Sequence, residues 1–161
     1  MTIAKGDSLP EATFRIMEPE GIKTLTTKDI FAGKKVVMFA VPGAFTPTCH
    51  LKHLPGYIEN ADHFKKEGID TIACVAVNDP FVMAAWADAS GSKGKVLFLS
   101  DGNAEFTKKI GTYTSCKHYE RDSMLDVTLL CTGGTVSSIA VVWLRFAPIP
   151  ASKPLPPDGC E

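Results

Sequence analysis

Three segments in the middle of the chain are continuously apolar and rich in valine, leucine or isoleucine. They are residues 35–41 (KVVMFAV), 70–77 (DTIACVAV) and 95–100 (KVLFLS). Strands that are covered on both faces have this pattern, whereas a half-exposed strand alternates apolar and polar residues. We therefore predict three buried strands in one sheet.

The segment between the first two strands has the period of a helix. Its apolar residues recur every three or four positions, at Leu51, Leu54, Ile58, Ala61 and Phe64. The pattern ends at the sequence KKEG, where cations occupy the last turn and Gly68 can end the helix. Pro55 lies inside this pattern and removes one backbone hydrogen bond, so we expect a kink there.

A second helix is predicted between the second and third strands. Asn78 or Asp79 can cap it, and Pro80 suits its first turn. A short third helix is predicted at residues 103–110 (NAEFTKKI). The order strand, helix, strand, helix, strand favours right-handed crossovers, and hence an α/β fold with a mixed, mostly parallel central sheet flanked by helices.

The last third of the chain contains two different patterns. The sequences MLDVTLLC and TVSSIAVVWLRF, joined by the turn TGG, predict a pair of strands that closes one edge of the sheet. The final segment, APIPASKPLPPDGCE, contains five of the eleven prolines, which indicates an extended and poorly ordered chain. We therefore predict one domain at residues 1–147 and a proline-rich, disordered tail at 148–161.

Length, composition and charge narrow the class of function. The chain has 161 residues, of which 45% are hydrophobic, enough for one domain with a full core. Seventeen basic and eighteen acidic residues give a formal charge of -1, which argues against nucleic acid or an anionic membrane as partners. The N-terminal sequence resembles neither a secretory signal nor a transit peptide, and no apolar run is long enough for a membrane span. We expect a cytoplasmic protein.

Five cysteines lie at positions 49, 74, 116, 131 and 160, with no regular spacing. An odd and irregular set argues against a disulfide framework and against a zinc site built from paired C-x-x-C units. At least one thiol is therefore expected to stay unpaired.

Cys49 is the strongest candidate for chemistry. It follows the first buried strand and the loop PGAFTPT, and it stands in the first turn of the predicted helix. Cysteines at helix N-termini can have pKa values well below the ordinary value of a thiol, because the unpaired N–H groups there stabilise a thiolate. Thr46 or Thr48 can cap the helix, while Pro42 and Pro47 fix the loop. The alternative is a buried thiol that only fills space.

These residues also carry a resemblance to a known family. PGAFTPTC matches the motif P-x-x-x-T-x-x-C of the peroxiredoxins, with Pro42, Thr46 and Cys49 at its three fixed positions. From about residue 3 to Gly111 the chain resembles the type II peroxiredoxins, the atypical two-cysteine group that includes mammalian peroxiredoxin five. From residue 112 onward the resemblance is weak.

The resemblance implies a thioredoxin-like fold and an antioxidant activity, the thiol-dependent reduction of hydrogen peroxide and organic hydroperoxides. Cys49 would be the peroxidatic cysteine and is oxidised to a sulfenic acid, with Thr46 and Pro42 completing the site. No metal and no organic cofactor is needed. The expected reductant is glutathione with glutaredoxin, or thioredoxin.

The family also uses an arginine from a later strand and, in plant type II members, a second cysteine. The nearest match to the arginine is Arg121 in the sequence RDSML, with Arg145 as the second choice; either could instead be a solvated surface cation. Cys74 falls at the position proposed for the resolving thiol. Its own context, in the middle of a strand, is that of a buried core cysteine.

A homodimer is expected from the resemblance and from apolar residues near the Cys49 loop. These residues are Phe45, Leu51, Phe81 and Trp86.

Two alternatives belong to other classes of function. Cys49, His50, His53 and His63 lie on or near one helix and could form a metal site, although C-H-x-x-H lacks the second cysteine of a haem attachment motif. The chain could also be a thioredoxin-like interaction module without activity, because its C-terminal third departs from the family.

Overall fold

The computed structural model describes residues 2–116, 121–124 and 127–140, with the backbone alone for 114–116, 121–124 and 140. The strands are β1 (Thr13–Glu18), β2 (Gly21–Thr26), β3 (Lys35–Ala40), β4 (Thr71–Ala76), β5 (Leu97–Ser100), β6 (Tyr113–Cys116), β7 (Arg121–Met124), β8 (Val127–Thr132) and β9 (Thr135–Ala140). The helices are α1 (Thr27–Phe31), a π-helix (Cys49–His53), α2 (Leu54–Glu59), α3 (Ala61–Lys66), α4 (Pro80–Ala89) and α5 (Glu105–Lys109).

Seven of these strands form one mixed sheet in the order β2-β1-β5-β4-β3-β8-β9, and β6 pairs with β7 separately. The three predicted buried strands are confirmed as β3, β4 and β5, which are neighbours and parallel. The sheet is less parallel than predicted: among the described residues its other four pairings are antiparallel. The reason is that hairpins, which need only short connections, flank the parallel centre on both sides.

Apolar side chains alternate between the two faces of the sheet. On β3, Met38 packs in a core with α1 and α5, whereas Phe39 packs in a second core with the π-helix, α2, α3 and α4. On β4, Val75 and Cys74 divide in the same way. The central strands read as continuous apolar runs because helices cover both faces.

The N-terminal hairpin and α1 were not predicted. In β1 only Phe14 is fully buried, and most of the edge strand β2 is exposed, so neither strand has a strong apolar pattern. Thr26 and Asp29 form a capping box at the start of α1. The hydrogen bond from the Thr26 hydroxyl lowers the pKa of Asp29 below its ordinary value.

The predicted helix after β3 is present, but it is divided. A π-helix at Cys49–His53 precedes Pro55, and a break at Asn60 separates α2 from α3. The expected distortion at Pro55 is therefore a widened turn on its N-terminal side, which is one way in which a helix accommodates a missing N–H. Gly68 follows the last turn with φ of 78°, as predicted for the end of the helix.

The other predicted helices are confirmed. Asp79 rather than Asn78 caps α4, because its carboxylate accepts hydrogen bonds from Phe81 N and Val82 N. The short helix predicted at 103–110 is α5.

The predicted pair of closing strands is β8 and β9, and β9 forms one edge of the sheet. Gly133 and Gly134 make the turn with φ of 58° and 85°, a conformation that requires two residues tolerant of positive φ. The predicted tail at 148–161 lies outside the described residues, as do residues 141–147 of the predicted domain.

Within the described part of the chain, no helix has both the length and the apolar character that crossing a membrane would demand.

Candidate active site

The loop between β3 and the π-helix places Cys49. Phe45 has a left-handed backbone with φ of 62°, which turns the chain back so that the Thr46 hydroxyl can donate a hydrogen bond to the carbonyl of Gly43 at 3.0 Å. Pro47 and Thr48 are already helical, and the carbonyl of Thr46 accepts from His50 N at 2.8 Å. Cys49 therefore lies in the first turn, as predicted.

The predicted capping by a threonine hydroxyl is wrong in detail. Thr48 itself has helical backbone angles and makes no side-chain capping bond. Thr46 occupies the capping position, but its hydroxyl proton goes to the loop carbonyl of Gly43. Because that proton is used in the bond to Gly43, the Thr46 oxygen can only accept a hydrogen bond from a molecule beside it.

Cys49 is 2% exposed and belongs to the core on the π-helix side of the sheet. Its carbonyl accepts from Leu54 N, a separation of five residues that defines the widened turn. Thr46 is 9% exposed and Pro42 is half-buried, so none of the three motif residues is fully exposed.

Asn78 connects this loop to the neighbouring strand. It follows β4, and its side-chain oxygen accepts a hydrogen bond from Ala44 N at 2.8 Å. The Asn78 carbonyl in turn accepts from the Ser100 hydroxyl at 2.7 Å. We missed this contact in the sequence, although the carboxyl ends of adjacent parallel strands meet at one edge and could have indicated it.

A second contact joins the Cys49 turn to α4. The indole Nε1 of Trp86 donates to Nδ1 of His50 at 2.9 Å, and the ring of Phe45 lies 5.9 Å from the His50 ring. Trp86 is fully buried, which corrects its predicted place among the surface residues of a dimer contact. The other three are exposed: Phe45 by 47%, Leu51 by 69% and Phe81 by 60%.

Cys74 and Cys131 lie on opposite faces of the sheet. Cys74 is fully buried in the same core as Cys49, and its nearest neighbour on β3 is Phe39. Cys131 belongs to the other core, where burial raises the pKa of its thiol from 9.0 to about 12. None of the three forms a disulfide. Cys116 has only its backbone described, and Cys160 lies outside the described residues.

The structure describes only part of the two candidate arginines. The backbone of Arg121 belongs to β7, opposite Cys116, so it does come from a later strand. Its side chain and all of Arg145 lie outside what the structure describes.

The residues of the alternative metal site are not assembled. Nδ1 of His50 accepts from Trp86, the His53 ring packs against Phe39 and Tyr57, and His63 is exposed. Within the ranges that the structure covers, no group of three histidine, cysteine or acidic residues could hold a metal ion.

Comparison with known proteins agrees with this geometry. The Redoxin family model matches residues 4–142. Peroxiredoxin-2E, a chloroplastic protein of Arabidopsis thaliana, is 50% identical over 112 residues, which are 68% of this chain and 48% of that protein. Peroxiredoxin-2B of Arabidopsis thaliana is 46% identical over 110 residues, 68% of each chain. The chain thus spans about half the length of Peroxiredoxin-2E.

A solved structure extends the likeness over most of the chain. Reduced Prx3 of Vibrio vulnificus, crystallised in complex with hydrogen peroxide, has a TM-score of 0.85 and 42% identity, and the match covers 89% of this chain and 90% of that one. The fold and the cysteine in the first helical turn thus define a thioredoxin-like α/β protein. The chain belongs to the Redoxin family, and its relatives place it among the peroxiredoxins, as the resemblance to the type II group implies.

Proposed function

We propose that the chain is a thiol-dependent peroxidase that reduces hydrogen peroxide and alkyl hydroperoxides through Cys49. The observation that carries the proposal is the position of Cys49, in the first turn of a helix beneath a loop held by Asn78. A related solved protein, Prx3, was crystallised with hydrogen peroxide. The inactive interaction module is the less favoured reading, because peroxiredoxins are the relatives of this chain.

The first step is an attack of the Cys49 thiolate on one peroxide oxygen. A bond forms between sulfur and that oxygen, the O–O bond breaks, and the leaving oxygen takes a proton and departs as water or alcohol. Cys49 becomes a sulfenic acid, oxidised by two electrons. N–H groups at the start of the helix favour the negative charge on sulfur before the attack.

Thr46 and Pro42 have different roles in this step. With its proton donated to Gly43, the Thr46 oxygen can accept the O–H of the peroxide and so align the O–O bond with the sulfur. Pro42 lacks an N–H group and fixes the backbone where the loop begins. Arg121 is proposed to reach the site from β7 and to stabilise the charge that develops on the leaving oxygen.

The second step removes the sulfenic acid. We propose Cys74 as the resolving thiol, because it shares a core with Cys49 whereas Cys131 lies on the other face. The Cys74 sulfur attacks the Cys49 sulfur, and the sulfenic oxygen leaves as water, giving a disulfide. Cα atoms must come within about 7 Å for this bond. The π-helix and Pro55 provide the place where the first turn can unwind.

The reductant is proposed to be glutathione with glutaredoxin, or thioredoxin. The thiols of either reductant supply the two electrons that reduce the disulfide and return Cys49 to the thiol form. Turnover assays with each reductant separately will identify the one that supports the higher rate.

A homodimer is proposed through the exposed residues Phe45, Leu51 and Phe81. All three are large apolar side chains with exposed surface, which is typical of contact surfaces, and a self-complementary patch gives a two-fold dimer. Sedimentation equilibrium should show a dimer for the parent and a monomer for Leu51→Glu. A monomeric parent at high micromolar concentration would contradict the proposal.

The cytoplasm is proposed as the location of this protein, although the named relatives include chloroplastic ones. Cell fractionation with an antibody against the chain tests this.

The experiment for the peroxidase activity is single-turnover oxidation followed by mass spectrometry of the intact protein and its peptides. The parent should add one oxygen at Cys49 or form a Cys49–Cys74 disulfide, and Cys49→Ser should do neither. Cys131→Ser is the matched control, because this thiol is equally buried but lies on the opposite face. Equal peroxide consumption by Cys49→Ser and the parent would overturn the proposal.

A further inference from the structure

The hydrogen bond between Trp86 and His50 constrains the protonation of His50. An indole N–H can only donate, so Nδ1 of His50 must be an acceptor and carry no proton. Trp86 itself is fixed, since it is fully buried and packs edge-on against Phe98 at 5.4 Å. His50 follows Cys49 directly, so this bond joins the turn of Cys49 to a fully buried side chain of α4.

The part of the helix beyond Pro55 is held in a different way. Tyr57 stacks on Phe39 with ring centroids 3.9 Å apart, and its hydroxyl lies 2.7 Å from the hydroxyl of Thr128 on β8. The π-helix and Pro55 separate this contact from the His50 contact. Unwinding of the first turn can therefore leave Tyr57 in place, but it must break the bond between His50 and Trp86.

We propose that His50 and Trp86 are positioning residues that hold the Cys49 turn in its peroxide-reactive form and that protonation of His50 releases it. This inference rests on the proposed peroxidase function. An imidazolium has protons on both nitrogens and cannot accept from the indole. His50 lines a shallow groove between α2 and the end of α4. The charged group that shares this groove is Glu59 of α2, whereas Ala89 of α4 and Ser90, which follows it, do not titrate.

The bond decides between two fates of the sulfenic acid. While the turn is held, a second peroxide can react: the sulfur gains another oxygen, the O–O bond breaks, and a sulfinic acid and an alcohol or water result. When the turn is released, the Cys49 sulfur can meet a thiol and form a disulfide with loss of water. A weaker bond should therefore give less sulfinic acid and more disulfide.

The test uses the full chain with Trp143→Phe, so that Trp86 is the one remaining tryptophan. Without peroxide, the indole N–H signal of Trp86 is followed by NMR between pH about 5 and about 8, the range in which histidines titrate. The signal should shift with pH in the parent. In His50→Asn, whose side-chain oxygen replaces Nδ1 as the acceptor, the chemical shift should stay at the hydrogen-bonded value at every pH. In His50→Leu, which has no acceptor, it should stay at the value of an indole without this bond.

The second measurement is the ratio of sulfinic acid to disulfide at Cys49 after a fixed peroxide exposure. We expect His50→Leu and Trp86→Phe to lower this ratio about 5-fold, the effect of one net hydrogen bond on an equilibrium. The parent should show the same fall on acidification and His50→Asn should not. His63→Asn is the control, because this exposed histidine should leave the pH dependence intact.

The outcomes separate the two proposals. If Cys49 is oxidised normally but all variants give the same ratio, or if the Trp86 signal ignores both pH and His50→Asn, the positioning role is wrong and the peroxidase function stands. If the Trp86 signal behaves as expected but Cys49 never reacts with peroxide, the peroxidase function is wrong and the positioning role falls with it.

Discussion

Asn78 accepts a hydrogen bond from the backbone N–H of Ala44, at 2.8 Å, and so joins the loop before Cys49 to the end of the neighbouring strand. Asn78→Ala removes the acceptor and leaves a buried N–H without its partner, which costs about 1–3 kcal/mol. We expect the rate constant for Cys49 oxidation to fall about 10-fold while the fold is retained. Stopped-flow measurement with hydrogen peroxide checks this, and Asn78→Asp, which keeps an acceptor, should recover most of the rate.

Thr46→Val tests the hydroxyl beside Cys49. The substitution keeps the side-chain shape but removes both the bond to the Gly43 carbonyl and the oxygen that we propose accepts from the peroxide. We expect the oxidation rate constant to fall on the order of 10²-fold, as when one preorganised polar contact is lost from a transition state. Thr46→Ser should stay within a few-fold of the parent. Equal losses in both variants would point to packing rather than to the hydroxyl.

Asp101 is expected to contribute to stability and not to chemistry. It is 2% exposed, and its carboxylate accepts from Phe106 N, Thr107 N and the Thr107 hydroxyl at 3.2, 2.8 and 2.6 Å. Asp101→Ala should lower the free energy of unfolding by about 2–3 kcal/mol in urea titrations, because it removes the acceptor for two N–H groups in the first turn of α5. Asp29→Ala, at the exposed cap of α1, is the matched control and should cost less.

Cys131 gives a prediction about pH. Its pKa is about 12 in the folded protein against 9.0 in an exposed thiol, so between these values the unfolded chain loses a proton that the folded chain retains. The thiol therefore lowers stability progressively as pH rises from about 9 towards 12 and has no such effect at neutral pH. Urea titrations across this range should show a shallower fall for Cys131→Ala than for the parent.

Cys131 is as buried as Cys49 but lies on strand β8, without the N–H groups of a helix start, and we predict that it is chemically inert in the native state. The thiolate is the reactive form, and at pH 8 the folded protein has almost none of it at this position. Iodoacetamide should label Cys131 in urea but not in the native protein, as peptide mass spectrometry can show. Labelling in the native protein would mean that β8 separates from β3 more readily than their antiparallel pairing indicates.

The central strands could be predicted because helices cover both of their faces, and each therefore appears as an unbroken apolar run. β1 and β2 have no such signal: Phe14 is the one fully buried side chain of β1, and β2 lies at an edge. The break at Asn60 was equally hidden, since the apolar spacing of Ile58, Ala61 and Phe64 continues across it. Local sequence patterns indicate which residues are buried, but they indicate less well where a helix is broken or widened.

The site was predictable to the extent that it is local. Cys49, Thr46 and Pro42 lie within eight residues, and their spacing alone indicated a helix start with a thiol in its first turn. The contacts of Asn78 with Ala44 and of Trp86 with His50 join residues more than thirty positions apart. From the sequence, Asn78 could be interpreted only as a possible helix cap and Trp86 only as an apolar residue. Their partners could not be predicted, because it is the folded sheet that brings these pairs together.

Phe45 has a left-handed backbone, which costs a residue with a side chain about 1–2 kcal/mol relative to its preferred conformations. In the proposed Cys49–Cys74 disulfide the following turn is unwound, which would let Phe45 relax, so that the strain would be present in the dithiol form alone. Strain raises the free energy of the dithiol and so makes reduction of the disulfide less favourable. The reduction potential of the couple is lowered by about 30 mV for each 1.4 kcal/mol of strain. One aromatic residue without redox chemistry of its own thereby helps to set the potential that a reductant must match.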